Sequence, residues 1–122
     1  MKMTVCRRFK FDAAHFLPGY EGVCKNLHGH TWYLEVEVEG SVSVVSGFVI
    51  DFVALKEIVR PLLGTFDHHC LNDIIPNPTC ENLLECIWFH LSDQIRGETE
   101  GVVTLVRLRL YESPDSYAEL KL

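Results

Sequence analysis

No two cysteines in this chain have C-x-x-C spacing, although there are five: Cys6, Cys24, Cys70, Cys80 and Cys86. The count is odd and no secretion signal accompanies it, which argues against a disulfide framework. Each cysteine reads first as a small buried hydrophobe. Long hydrophobic runs are missing too: nothing approaches the ~20 apolar residues that a membrane span needs. Met1 to Phe11 carries Lys2, Arg7, Arg8 and Lys10 but no apolar h-region, so no signal peptide is read and the expected location is the cytoplasm. Positive charge is scarce, with 11 Lys and Arg against 17 Asp and Glu and a net charge of −6. Nucleic-acid binders ordinarily present a basic surface, so nucleic acid is not an expected partner, and neither is a membrane. An anionic small molecule stays open wherever a few cations gather.

What remains is an ordinary globular composition: 122 residues, 48% hydrophobic and 23% charged. No repeat or linker divides it, and residues 1–122 are expected to form one domain. Residues 3–15 read as a strand, with Val5, Phe9, Phe11 and Ala13 on one face and Arg8, Lys10 and Asp12 on the other. Residues 30–39 read as a second, with Trp32, Leu34, Val36 and Val38 opposite Glu35, Glu37 and Glu39. Phe48 to Ile50 reads as a short further strand. Asp51 is a plausible N-cap for a helix carrying Phe52, Leu55, Ile58, Val59 and Leu62, which Pro61 is expected to end or bend. Thr79 is a second N-cap candidate, ahead of a stripe of Leu83, Leu84, Ile87, Trp88, Leu91 and Ile95 that ends at Gly97 and Gly101. Residues 102–112 form a third long strand, with Val102, Val106, Leu108 and Leu110 on one face, and Ser116 to Leu122 a final one. The order ββααββ predicts an α+β domain in which helices cover one face of an antiparallel sheet.

The most informative tripeptide is His28-Gly29-His30. Residues i and i+2 of a strand point the same way, so both histidines share the parity of Trp32 and Leu34. His15 shares the parity of Phe9 and Phe11. If the two strands form a hairpin, His15 comes up beside His28 and His30. Three neutral imidazoles are a standard zinc set, and three protein ligands leave a fourth position open, as catalytic sites do. Gly29 lets another group approach the backbone closely.

Cys24 lies four residues before His28. A thiolate there could remove a proton from carbon or attack an electrophile, with zinc and Lys25 as sources of positive charge. It could equally be a fourth zinc ligand, which would close the site and make it structural. Asp67-His68 could form a dyad in which the carboxylate orients the imidazole, with His69 as a competing partner. His90 reads as a solvated helix residue. Glu112 continues the parity of Leu108 and Leu110, so its carboxylate needs a partner: a planar, guanidine-like donor pair on a ligand, or an ion pair with Arg107 or Arg109. Glu81, in the first turn of the second helix, also suits the helix dipole.

Taken together, the pieces Phe11-Asp12-Ala13-Ala14-His15, Cys24-Lys25-Asn26-Leu27-His28-Gly29-His30, Asp51-Phe52, Asp67-His68 with Leu71-Asn72, Pro78-Thr79 with Glu81-Asn82, and Tyr111-Glu112-Ser113 carry a resemblance from Phe9 to Tyr117. The chain resembles the 6-pyruvoyl-tetrahydropterin synthase family, and within it the bacterial type that makes 6-carboxy-5,6,7,8-tetrahydropterin. The resemblance implies the tunnelling fold, with two helices on a four-stranded antiparallel sheet, and homo-hexamers with active sites between subunits. It implies zinc on His15, His28 and His30, holding the side-chain hydroxyls of 7,8-dihydroneopterin triphosphate. It implies Cys24 as the catalytic thiol, His68 as acid/base oriented by Asp67, and Glu112 as the anchor of the pterin ring. Thr79 and Glu81 match secondary pterin contacts; the phosphate contact expected of Lys25 is a reading of its charge and not part of the resemblance. Cys80 departs from the pattern, standing where some relatives have a second threonine. The short Cys24-x3-His28-Gly29-His30 gap is that of relatives making the 6-carboxy product in 7-deazaguanine and queuosine synthesis. The 6-pyruvoyl type resembles a longer gap, and a further branch has glutamate for this cysteine and makes a folate precursor. The readings carried forward are the 6-carboxy lyase, the 6-pyruvoyl lyase and a non-catalytic zinc module.

Overall fold

The computed structural model describes all residues 1–122 and runs β1 (Lys2–His15), β2 (His28–Ser41), α1 (Phe52–Phe66), β3 (His69–Cys70), α2 (Cys80–Glu98), β4 (Thr104–Ser113) and β5 (Ser116–Lys121). Short 3-10 turns at Val23–Lys25 and Leu71–Asp73 interrupt the loops. No helix is long and apolar enough to cross a membrane.

The alternation in β1 and β2 does what it predicts. The strands pair antiparallel from Lys2↔Ser41 to His15↔His28, and Phe9, Phe11, Trp32, Leu34, Val36 and Val38 are buried under the helices. Asp51 caps α1, its Oδ1 accepting from Val53 N at 2.8 Å, and Thr79 caps α2 through Asn82 N at 3.1 Å. The helices lay Leu55, Val59, Leu62, Leu63 and Phe66, and Leu83, Leu84, Ile87, Leu91 and Ile95, on the sheet. Pro61 does not end α1. It sits on the exposed side, where its missing N–H leaves a carbonyl that water reaches, and the apolar stripe continues past it to Phe66.

The sheet departs from the expected architecture. It has five strands, ordered β3-β1-β2-β4-β5, and is mixed rather than purely antiparallel. The addition is β3, two residues that pair parallel with Ala13 and Ala14 of β1. The chain order is therefore ββαβαββ rather than ββααββ. A two-residue strand has no period to read, and it forms because the chain leaving α1 must pass the end of β1. Phe48–Ile50 is not a strand; it belongs to the turn-rich connection from β2 to α1. β2 begins at His28 rather than at residue 30.

β4 also breaks the expected parity. Arg107 faces Glu37 but Leu105 faces Val38, so Val106 is an extra residue, a β-bulge. Below it Val103 and Leu105 are buried while Val102 is 66% exposed, the reverse of the straight alternation. A second shift lies against β5, where Tyr111 faces Tyr117 and Ser113 faces Ser116, leaving Glu112 as the bulged residue.

Candidate metal centre and active site

β1 ends at His15 where β2 begins at His28, so the pairing that builds the core also delivers the histidines to one place. Ligating atoms of His15, His28 and His30 all lie within 4.8 Å of one another. Trp32 forms the floor: its ring stands edge-on to His15 at 5.1 Å and to His30 at 5.5 Å, stacks on Phe11, and donates Nε1–H to Ala13 O at 3.2 Å.

The imidazoles are pre-oriented. His15, wholly buried, bonds through Nδ1 to Pro78 O at 2.8 Å, and His28 through Nδ1 to Asn26 O at 2.7 Å. A carbonyl can only accept, which assigns the proton of each neutral ring to Nδ1 and leaves Nε2 as a lone pair. This is how metal-ligating histidines are normally held. Burial lowers the His30 pKa, Glu112 opposes that shift, and His15 and His28 reinforce it; the balance favours the neutral ring.

Glu112 reaches the same point. Its Oε1 is 3.2 Å from His15 Nε2 and 3.7 Å from His30 Nε2, yet both Nε2 atoms are buried without a hydrogen-bond partner. For His15 the reason is that lone pair faces carboxylate, acceptor against acceptor. A divalent cation among the rings relieves that opposition, so the donor set fits a metal. Glu112 faces inward with Leu108 and Leu110, whose parity it continues along β4. The ion pair with Arg107 or Arg109 does not form: Arg107 is held by Glu37 and Glu119 at 3.1 and 3.3 Å, and Arg109 by Glu119 at 2.7 Å.

On its other side Glu112 lines a cavity of about 180 Å³ with Cys80, Glu81, Ser116, Tyr117 and Ala118. Glu81 thus comes together with Glu112, while Thr79 uses its hydroxyl as the α2 cap and lines a separate hollow with Leu17 and Tyr20. The Cys80 thiol donates to Leu110 O at 3.2 Å, and burial pushes its pKa up to about 11.

Cys24 is a free, half-buried thiol in the Val23–Lys25 turn and is not part of the three-histidine cluster; Lys25 beside it is exposed. Asp67 and His68 do pair, Oδ2 to Nδ1 at 3.0 Å. Their surroundings are Asp12 and the β3 edge rather than Cys24: Asp12 N donates to Asp67 Oδ1 at 2.8 Å, and His68 N to Asp12 O at 2.6 Å. The Asp12 amide holds the Asp67 carboxyl below the usual carboxylate range, and His68 adds to the effect. His69 also leans on Asp67, through the main-chain carbonyl at 2.7 Å. A cavity of about 590 Å³ joins this edge to the facing ends of β1 and β2, lined by Asp12, Gly29, His30, Thr31, His68 and His69 among others. Sequence reasoning missed Pro78 and Asn26, whose carbonyls orient His15 and His28, because a backbone group leaves no mark in residue type.

Comparison with known proteins identifies the family and the fold. The family model described as 6-pyruvoyl tetrahydropterin synthase matches residues 4–122. The dihydroneopterin monophosphate aldolase of Pyrococcus furiosus is 41% identical over 121 residues, covering 99% of both chains. The 6-carboxy-5,6,7,8-tetrahydropterin synthase of Bacillus subtilis is 32% identical over 115 residues, 87% of this chain and 76% of its own. The 6-pyruvoyl tetrahydropterin synthase structure from Caenorhabditis elegans superposes with a TM-score of 0.87 at 25% identity, covering 100% of this chain and 96% of that one.

Proposed function

The chain belongs to the 6-pyruvoyl tetrahydropterin synthase family, and from that membership we propose that it is a zinc-dependent carbon–carbon lyase. It converts 7,8-dihydroneopterin triphosphate and one water to 6-carboxy-5,6,7,8-tetrahydropterin, acetaldehyde and triphosphate, a cytoplasmic step toward 7-deazaguanine and queuosine. The observation that carries the reading is the convergence of His15, His28 and His30 on a point faced by Glu112, with a free thiol in the adjoining loop.

His15, His28 and His30 would hold the ion, and bound zinc supplies Lewis acidity toward the side-chain hydroxyls of the substrate. Glu112 accepts from the guanidine-like edge of the pterin, with Glu81 and Thr79 as lesser contacts. Cys24 moves protons on the side-chain carbons, His68 serves as acid/base, and Asp67 holds its ring. Lys25 meets the phosphates. Since Asp67 and His68 sit at the β3 edge and Cys24 in the loop beyond β1, one chain leaves them in separate surroundings. The complete site forms between subunits of a homo-hexamer, where unpaired sheet edges also find partners.

A second reading is favoured by the aldolase relative, which matches this chain end to end at 41% identity. It keeps the same histidines and the same class of bond cleavage but takes a pterin monophosphate. Zinc-loaded protein incubated in parallel with 7,8-dihydroneopterin triphosphate and monophosphate, with products identified by mass spectrometry, separates the two. 6-Carboxy-tetrahydropterin with acetaldehyde from the triphosphate supports the first. Turnover of the monophosphate alone replaces it with the second, and a 6-pyruvoyl product overturns the assignment of the product from the short Cys24-to-His28 gap.

A further inference from the structure

The Leu71-Asn72 motif has no part in the chemistry above, yet Asn72 hydrogen-bonds Phe16 at the start of the loop of residues 16–27 that joins β1 to β2 and carries Cys24. Asn72 lies in the Leu71–Asp73 turn just after β3, held there by Leu71, which is fully buried. Its Oδ1 accepts from Phe16 N at 2.9 Å and its Nδ2 donates to Phe16 O at 2.8 Å. A side-chain amide thus supplies both bonds of a ladder rung, at the residue immediately after His15. The next residue continues the relay: Leu17 N donates to Cys24 O at 2.8 Å. The loop's other hydrogen bonds, Tyr20 N to Leu17 O, Lys25 N to Gly22 O, Asn26 N to Val23 O and His28 Nδ1 to Asn26 O, stay within the loop and its own flanks.

We propose that Asn72 is a positioning residue that sets the Cys24 loop against the histidine cluster. This rests on the reading of Cys24 as the catalytic thiol. Asn72 is suited to the task because an amide offers a donor and an acceptor in one plane, and both Phe16 groups need satisfying. Asp at this position keeps the acceptor but sets a second oxygen against Phe16 O, and Ala removes both bonds. Because Asn72 follows the His68 segment by a few residues, it also ties the dyad edge to the thiol loop.

The test compares wild type, Asn72→Asp and Asn72→Ala for zinc content, kcat and KM on the pterin phosphate, iodoacetamide alkylation of Cys24, and hydrogen exchange of the Phe16 and Leu17 amides. The expected result is full zinc content in all three, with kcat falling about 10-fold or more in Asn72→Ala while KM stays within about twofold, and Asn72→Asp between. Alkylation and exchange should quicken in the same order as the loop is released. Wild-type kcat in Asn72→Ala, or a fall that only tracks lost zinc or lost fold, overturns the proposal. If the wild type turns over no pterin phosphate, the functional reading fails by itself. Alkylation and exchange then still decide the clamp, which unchanged rates in Asn72→Ala would rule out.

Discussion

Glu112 Oε1 stands 3.2 Å from Nε2 of His15, in a ring whose one N–H, at Nδ1, donates to Pro78 O. The carboxylate therefore sits where it can serve the pterin or the ion. Glu112→Gln is expected to keep one zinc per chain and to raise KM about 10-fold or more, since a hydrogen bond to a charged group contributes about 1.5–3 kcal/mol. Metal analysis beside steady-state kinetics checks this. Loss of zinc in the variant would instead make Glu112 a ligand.

Cys24 lies outside the histidine cluster, so its removal should leave the ion in place. Cys24→Ala is expected to retain zinc and fold while kcat drops by about 10²–10⁴, the range for losing a proton-transferring group. A parallel loss of zinc affinity and thermal stability would mean that the thiol closes the metal site.

Asp67 gives a pH dependence whose sign is set by its partners. The Asp12 amide, and then His68, depress its carboxyl below the ordinary range in the folded state. The contribution to stability is thus present above the unfolded-chain value of about 4 and is lost as pH falls through the folded value. Thermal unfolding from pH 2 to 7 should show this acid limb in wild type and a shallower one in Asp67→Asn. Identical limbs would count against the Asp12–Asp67 bond.

Cys80 should be chemically quiet. Burial, with a backbone hydrogen bond at Ala118 partly offsetting it and Glu112 and Glu81 adding to it, raises its pKa to about 11. Since the thiolate is the reactive form, peptide mapping after brief iodoacetamide treatment near pH 7.5 is expected to find Cys24 modified and Cys80 intact. Equal labelling would contradict the burial of the thiol.

The three-histidine cluster was legible because it rides on the strongest signal in the chain. The β1–β2 ladder runs without a register shift, so parity, once the two strands pair as a hairpin, brings His15 to His28 and His30. β4 was less legible, because nothing in the residue types around Val106 announces an extra residue; straight parity put Val102 inside and missed Val103 and Leu105. β3 is too short to carry a pattern. The carbonyls of Pro78 and Asn26 and the Asn72 clamp arise from where loops cross strand ends, which local sequence does not encode. Family resemblance supplied the roles of Cys24, Asp67, His68 and Glu112, and geometry has since put the last of these beside the histidines.

The extra residue at Val106 makes β4 two half-strands of opposite phase, joined at a slack point. A residue gained or lost between Thr99 and Leu105 could be absorbed there by a shift of the bulge. The same change between Arg107 and Tyr111 would rotate Glu112 to the open face and take the carboxylate away from His15. Length variation among descendants of this chain should therefore collect at the Val103 end of the strand and be purged from the Tyr111 end, so that one irregularity shields the chemistry from drift in the loop behind it.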